Sequence, residues 1–403
     1  MAESGSFVRL LHEMAVQKAT PRLLKHLNER TVLEQIRAAA PISRAEISRR
    51  AGISKPTVSL ALESLVASGL VREAAHDPDG PSYGAVFFEP VPEAALVLGL
   101  DLGARFLRGA ICDLDGRIRA RQDLELAAPE ADAAYAAIPA VRDSLLQTSG
   151  LDAVAVDGAV IGIPGAVDAE SGRVSLVENV RGLEDDDIRA ELVERLGVPV
   201  TVENDINLAA VGERWRGIAQ GVDDFAFLSI GTGLGCGVIL RGELHRGHNG
   251  AAGELDYVRA GRREEVDPCA GAVSALAARL VSADGARTAL APPFDVRAIF
   301  AAARQGDETA AAIVREEARR IGMHIVPLAA VTDVELVVLG GGLGANGDLL
   351  LDPVRDRLRE WLPYPPRVEV STLGDAAVLT GALAVGLRAA RDNVFVRRNS
   401  GVR

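Results

Sequence analysis

Cysteine is scarce in this 403-residue chain, and Cys112, Cys236 and Cys269 stand too far apart to form a disulfide framework. That usage fits a reducing cytoplasm, the expected location. Long apolar runs are missing as well. No stretch approaches the roughly 18 uncharged apolar residues that cross a bilayer, so no membrane partner is expected. The segment Phe7-Val8-Arg9-Leu10-Leu11-His12-Glu13 lacks the charge–apolar–small order of a signal peptide. Metal-ligand clusters are lacking too: His245 and His248 are near neighbours, but nothing supplies a third and fourth ligand, so no metal is expected. What is present is ordinary for a globular protein, with 48% apolar and 25% charged residues over a length that suggests two or three domains.

Net charge is −12, which taken whole argues against nucleic-acid binding. Its distribution argues otherwise. Residues 1–75 hold 11 Lys+Arg against 7 Asp+Glu, a net of +4, leaving −12 − 4 = −16 for residues 76–403. Within the basic part, Leu27, Val32, Leu33 and Ile36 recur at helical spacing. Ser43-Arg44-Ala45-Glu46 reads as a capping box, in which the Ser43 hydroxyl and Glu46 carboxylate satisfy free amides. Ala51-Gly52-Ile53 turns the chain, Ser54 caps the next helix, and Val58, Leu62, Leu65 and Val66 form its apolar stripe. A short helix, a glycine turn and a second helix with a polar N-terminal end are the parts of a helix-turn-helix. Ser54, Lys55, Thr57 and Ser59 are the expected groove contacts, and Arg44, Arg49 and Arg50 the expected backbone contacts. Strands over 70–73 and 85–88 around a Pro/Gly/Asp loop read as a wing, although Asp77, Asp79 and Tyr83 stand where basic residues would serve it better.

Beyond Pro90 and Pro92 the pattern changes to hairpins, then to alternating strands and Ala-rich helices, which reads as α/β with a mixed sheet. Asp115-Gly116 marks a hairpin turn. Residues 273–320 read as helix broken near Pro292-Pro293. The motif-bearing stretch is Glu203 to Tyr257. Glu203-Asn204-Asp205 offers a carboxylate with flanking polar groups, which suits a polyhydroxyl ligand. Gly231-Thr232-Gly233-Leu234-Gly235-Cys236-Gly237 follows a strand, so its backbone amides are expected to approach an anion. Gly250-Ala251-Ala252-Gly253-Glu254 comes next, and Gly340-Gly341-Gly342 forms a second close-approach loop.

With Asp101-Leu102-Gly103 and Gly162-Ile163-Pro164-Gly165-Ala166-Val167-Asp168, these motifs in this order resemble the ROK family over residues 96–386. That family holds bacterial sugar kinases and the sugar-responsive transcriptional regulators derived from them. The resemblance implies a winged helix-turn-helix followed by a two-lobed actin-like, ribonuclease-H-like fold. The expected layout is a DNA-binding head over 1–90, a first lobe over 91–203 joined by the helix at 375–390, a second lobe over 204–386, and a disordered tail over 391–403. It implies Asp205 as the general base of the kinases, with Asn179, Glu203, Asn204, Asp205 and Glu254 contacting sugar. It also implies phosphate-type loops at Asp101, Gly103, Gly231, Thr232, Gly233, Gly340 and Gly341.

Two departures weigh against turnover. The family's Asp-x-Gly-Gly-Thr loop reads Asp101-Leu102-Gly103-Ala104-Arg105 here, and Tyr257 stands at a His of its zinc cluster, of which only Cys269 remains downstream. The expectation is therefore a non-enzymatic regulator without cofactor, a repressor binding operator DNA and a small sugar or sugar phosphate, as a homodimer or dimer of dimers. The alternatives are an ATP-dependent, glucokinase-like sugar kinase with an appended helix-turn-helix, and a protein-docking module.

Overall fold

The structure, a computed structural model, describes residues 21–74, 85–168, 172–177, 180–184, 187–255, 266–283 and 287–400. It divides into two compact units, one reaching to Ala95 and including the residues from Arg391 onward, the other Leu96–Ala390.

In the first unit, α1 (Pro21–Ala39), β1 (Ile42–Ser43), α2 (Arg44–Ala51), α3 (Lys55–Ala67), β2 (Val71–Glu73) and β3 (Phe87–Pro90) follow in order. Val32, Leu33 and Ile36 of α1 are buried with Ile47 of α2 and Val58, Leu62 and Leu65 of α3, so three amphipathic faces close one small core. Gly52, at φ +65°, ends α2 in the left-handed conformation that lets α3 begin three residues later. The sheet order is β1-β3-β2, with Val71 opposite Pro90. The wing loop, with Asp77, Asp79 and Tyr83, lies outside the described residues.

The second unit contains two five-stranded sheets. The first has the order β10-β7-β4-β5-β6, from β4 (Leu96–Leu102), β5 (Phe106–Asp113), β6 (Ile118–Glu125), β7 (Val156–Ile163) and β10 (Val200–Asn204). Its outer face is covered by α4 (Ala131–Ser149) and α5 (Ile188–Leu196), and a small hairpin, β8 (Ala166–Val167) with β9 (Val174–Ser175), lies beyond β7. The second sheet, of order β13-β12-β11-β14-β15, is built from β11 (Phe225–Ile230), β12 (Leu234–Leu240), β13 (Glu243–Leu244), β14 (Leu336–Gly340) and β15 (Arg367–Val370). Its outer face is covered by α7 (Ala270–Val281), α8 (Val296–Arg304), α9 (Glu308–Thr332) and α10 (Gly347–Trp361).

Two helices fill the space between the sheets: α6 (Asp205–Arg216) and the last helix, α11 (Ala377–Ser400). Both faces of each sheet are therefore covered, which explains why β14, and β4 up to Asp101, read as apolar runs rather than alternating ones. The two central helices touch backbone to backbone. A Cβ on Gly381 would lie 1.8 Å from the Leu208 carbonyl oxygen, and one on Gly212 2.3 Å from that of Ala377.

Two expectations need correction. The tail expected to be disordered beyond Arg391 is helical through Ser400, because no glycine or proline interrupts residues 387–400. Asp392 meets Arg30 of α1 at 3.1 Å. The helix expected to end near residue 320 runs to Thr332, with Pro327 inside it.

Candidate functional site

A row of polar residues crosses the inner face of the first sheet at the carboxyl ends of its parallel strands. Strand register sets Glu203 opposite Gly162, Gly162 opposite Asp101, Asp101 opposite Arg108, and Arg108 opposite Asp123. Residues opposite one another share a face. Ligands of open α/β sheets bind in the crevice at that edge. Gly162 is the gap in the row: a Cβ there would lie 3.5 Å from Asp205 Cα and 2.7 Å from Val378. The missing side chain lets α6 begin directly above the sheet, and so it seats Asp205 between Glu203 and Asp101.

The flanking carboxylates are each engaged. Glu203 is buried; its Oε1 accepts from Asn204 N–H and Asn207 Nδ2, both at 3.0 Å, and its Oε2 accepts from Arg246 Nε at 2.7 Å. Asp101 Oδ2 accepts from Arg108 Nη1 at 3.1 Å. Asn204 is also engaged, capping α6 through Asn207 N–H at 2.9 Å and donating to Gly165 O at 2.9 Å. Asp205 differs. Its Oδ1 accepts from Ile206 N–H at 2.8 Å, and among the described residues no side chain donates to its carboxylate. Burial pushes its pKa up to about 7, and the charges of Asp101 and Glu254 push in the same direction. Asp101 rises to about 6 through burial, with Arg108 pulling against that.

Of the expected sugar contacts, Glu203, Asn204 and Asp205 are consecutive at the start of α6, and the charge of Glu254 acts on Asp205. The structure engages Glu203 and Asn204 in holding the start of α6, while Asp205 has no side-chain donor among the described residues. Asn179 lies outside the described residues. Sequence reasoning missed Arg108, Arg246 and Asn207. The signal for Arg108 was available: a tight turn centred on Gly103-Ala104-Arg105 pairs residue 101 with residue 108.

The second sheet supplies the facing wall, where Gly231, Thr232 and Gly233 link β11 to β12 and Gly340 ends the adjacent β14. The expected amide cradle is shorter than the glycine run. Gly235 and Gly237 lie within β12, where added Cβ atoms would meet Ile206 at 2.7 Å and 2.6 Å, so they admit α6 rather than an anion. Gly341, at φ +75°, would place a Cβ 2.3 Å from Ile230 O, and this close approach requires glycine.

In the helix-turn-helix unit, Ser54 caps α3 by accepting from Thr57 N–H, and its hydroxyl lies 2.8 Å from that of Thr57. Ser59 Oγ donates to Lys55 O at 2.9 Å. Lys55 and Arg44 are exposed. Arg49 and Arg50 both hold Glu46, through Nε–Oε contacts of 2.9 Å and 2.6 Å, and the two guanidinium groups lower the Glu46 pKa to about 2. The capping box is thus half made: Ser43 accepts from Glu46 N–H, but the Glu46 carboxylate turns to the arginines. Leu60, exposed in the middle of α3, was not foreseen as part of this face.

Residues 97–389 match the ROK family, and residues 26–80 match the MarR family. The chain belongs to the ROK family. A xylose repressor of Caldicellulosiruptor bescii is 25% identical over 383 residues, covering 90% of this chain and 96% of that protein. A glucokinase of Streptomyces coelicolor is 31% identical over 318 residues, covering 71% of this chain and 96% of its own length. A crystal structure of a ROK family transcriptional regulator, a homologue of the E. coli MLC protein, superposes with a TM-score of 0.74 at 24% identity, covering 93% and 98% of the two chains. The fold is thus a helix-turn-helix followed by the actin-like ROK domain. Tyr257, which stands at a His of the family's zinc cluster, lies outside the described residues. Cys269 is buried at the start of α7, where its N–H donates to Asp267.

Proposed function

We propose that this ROK protein is a sugar-responsive transcriptional repressor of carbohydrate-metabolism genes that does not turn its sugar over. One observation carries the reading: a helix-turn-helix and a sugar-kinase-type cleft occur in one chain, and Asp205 in that cleft is held by backbone amides with no side-chain donor among the described residues. The effector is a small sugar or sugar phosphate, one of whose hydroxyls donates to Asp205, with Glu254 beside it. The protein partner is a second copy of the chain, since helix-turn-helix dimers read two half-sites about one helical turn apart. A sugar shifts the DNA-binding equilibrium only by the difference in its affinity for the two states. Names borne by related proteins support repression and xylose-like effectors.

Lys55→Glu tests the head separately from the cleft. Reversing one exposed charge at the start of α3 should weaken retention of promoter fragments from the source genome about tenfold or more at 0.15 M salt. The sugar-induced thermal shift should stay as in the wild type. Unchanged retention in a gel-shift titration would remove α3 from the DNA face.

A second reading, an ATP-dependent sugar kinase, draws on Asp205 itself, because a carboxylate with pKa about 7 is suited to accept a hydroxyl proton. Incubation with magnesium, ATP and a hexose panel separates the two. Phosphoryl transfer that disappears in Asp205→Asn would replace the first reading with the second.

A further inference from the structure

We infer that Arg108 is a resident cation of the cleft, its guanidinium standing against Asp101 where a magnesium–nucleotide would need a free carboxylate. The inference rests on reading the cleft as a sugar site and says what that site excludes.

Three observations support it. The first is position. Asp101, Arg108 and Asp123 are successive cross-strand neighbours on the inner face of the sheet, the face on which Asp205 stands. Arg108 therefore reaches Asp101 from within the cleft wall, with Nη1 at 3.1 Å from Asp101 Oδ2 and Nε at 3.7 Å from Asp123 Oδ2. The second is burial. The Asp101 side chain is 7% exposed and that of Arg108 21%, so bulk water and dissolved ions screen this pair far less than a surface pair. The third is charge balance along the row. Glu203 has Arg246 and Asp101 has Arg108, each by a direct contact, while among the described residues Asp205 has no cationic partner at that distance. The arginines balance the two outer carboxylates and not the middle one.

Magnesium requires near-octahedral geometry at about 2.1 Å, keeps several waters, and is held in phosphoryl-transfer sites by one or two carboxylates together with the substrate phosphates. A guanidinium already at hydrogen-bonding distance from Asp101 occupies that space and competes with the ion for the same carboxylate. In the Ala104-Arg105 turn beside it, Arg105 pairs with Glu125 and lies over the Phe106 ring. A sugar hydroxyl needs none of this, since it binds at Asp205.

The test uses the full-length protein and manganese(II) as the metal probe, read by electron paramagnetic resonance and by thermal shift. Arg108→Ala should bind manganese at least about tenfold more tightly than the wild type. At 5 mM (roughly ten dissociation constants or more for the variant) the metal should raise the melting temperature of the variant by about 3 °C and that of the wild type by about 1 °C or less. Asp101→Asn combined with Arg108→Ala should lose that gain, a result that a merely structural ion pair does not give. Arg108→Gln, which keeps most of the volume, repeats the comparison if the alanine variant folds poorly. Should both fail to fold, recovery on refolding with manganese supports the inference and no recovery overturns it. Equal manganese affinity in wild type and variants would also overturn it. A monosaccharide screen run alongside separates the premises: a sugar shift without manganese gain sinks only the Arg108 inference, whereas no sugar shift in any protein sinks the sugar-site reading.

Discussion

Asp205→Asn should raise the melting temperature above pH 7 by several degrees, leave it unchanged near pH 4, and abolish the sugar-induced shift. Asp205 has a folded-state pKa of about 7, against about 3.9 for an unfolded aspartate. Between those values the folded chain binds more protons than the unfolded chain, so stability falls as pH rises. The contribution is fully present below about pH 4 and is lost as pH passes through about 7. Asparagine carries no charge to desolvate, and its Oδ1 can still accept from Ile206 N–H. The expected gain at pH 8 is on the order of 2 kcal/mol, discounted from the full shift because Asp205 is only half-buried. Differential scanning calorimetry from pH 4 to pH 8 checks the sign. A variant less stable than wild type at pH 8 would show that a cation not seen in the row already compensates Asp205. A residue that weakens the fold at working pH is a common mark of a binding position.

The second large effect lies where the central helices cross. Gly381→Ala sets two known terms against each other. Helix propensity favours alanine by about 1 kcal/mol. Against it, the new Cβ would lie 1.8 Å from the Leu208 carbonyl oxygen, a backbone atom that moves only if α6 or α11 moves. Displacing a packed element to admit one methyl typically costs 1–3 kcal/mol and sometimes more, and this contact belongs at the upper end. The net expectation is a loss of about 2 kcal/mol, read as a lower urea midpoint with an unchanged slope. Sugar affinity should fall as well, because α6 begins at Asp205. A stabilised variant would mean that the helices stand farther apart than the structure has them.

Much of this was legible in the sequence because it rests on local chemistry. Ser54 caps α3 and Asp115-Gly116 turns β5 into β6, and in each case the residue types specify the backbone within a few positions. Asp205 was singled out in a short polar motif and given its role by a family resemblance, and it stands at the first turn of α6. What escaped is non-local. Arg108 reads as one more strand residue until register sets it opposite Asp101. Gly235 and Gly237 read as anion-binding glycines, yet they make room for Ile206, thirty residues earlier in the chain. Glu46 reads as the partner of a free amide, but two arginines one turn onward offered it stronger, charge-assisted bonds. Propensity described each segment, and packing between distant segments chose among the roles that propensity allowed.

Helix α6 joins the cleft to a distant hairpin. Its first residue is Asp205, and near its other end Arg216 donates to Gly116 O at 2.7 Å, while Glu213 holds Ser371 and Ile218 N–H. A rod of 12 residues is about 18 Å long, so a tilt of about 5° at one end displaces the other by about 1.6 Å. That is more than half the length of the bond to Gly116. The strut therefore ties Asp205 at one end to the turn between β5 and β6 at the other, and any tilt of α6 has to break or remake the bond at Gly116.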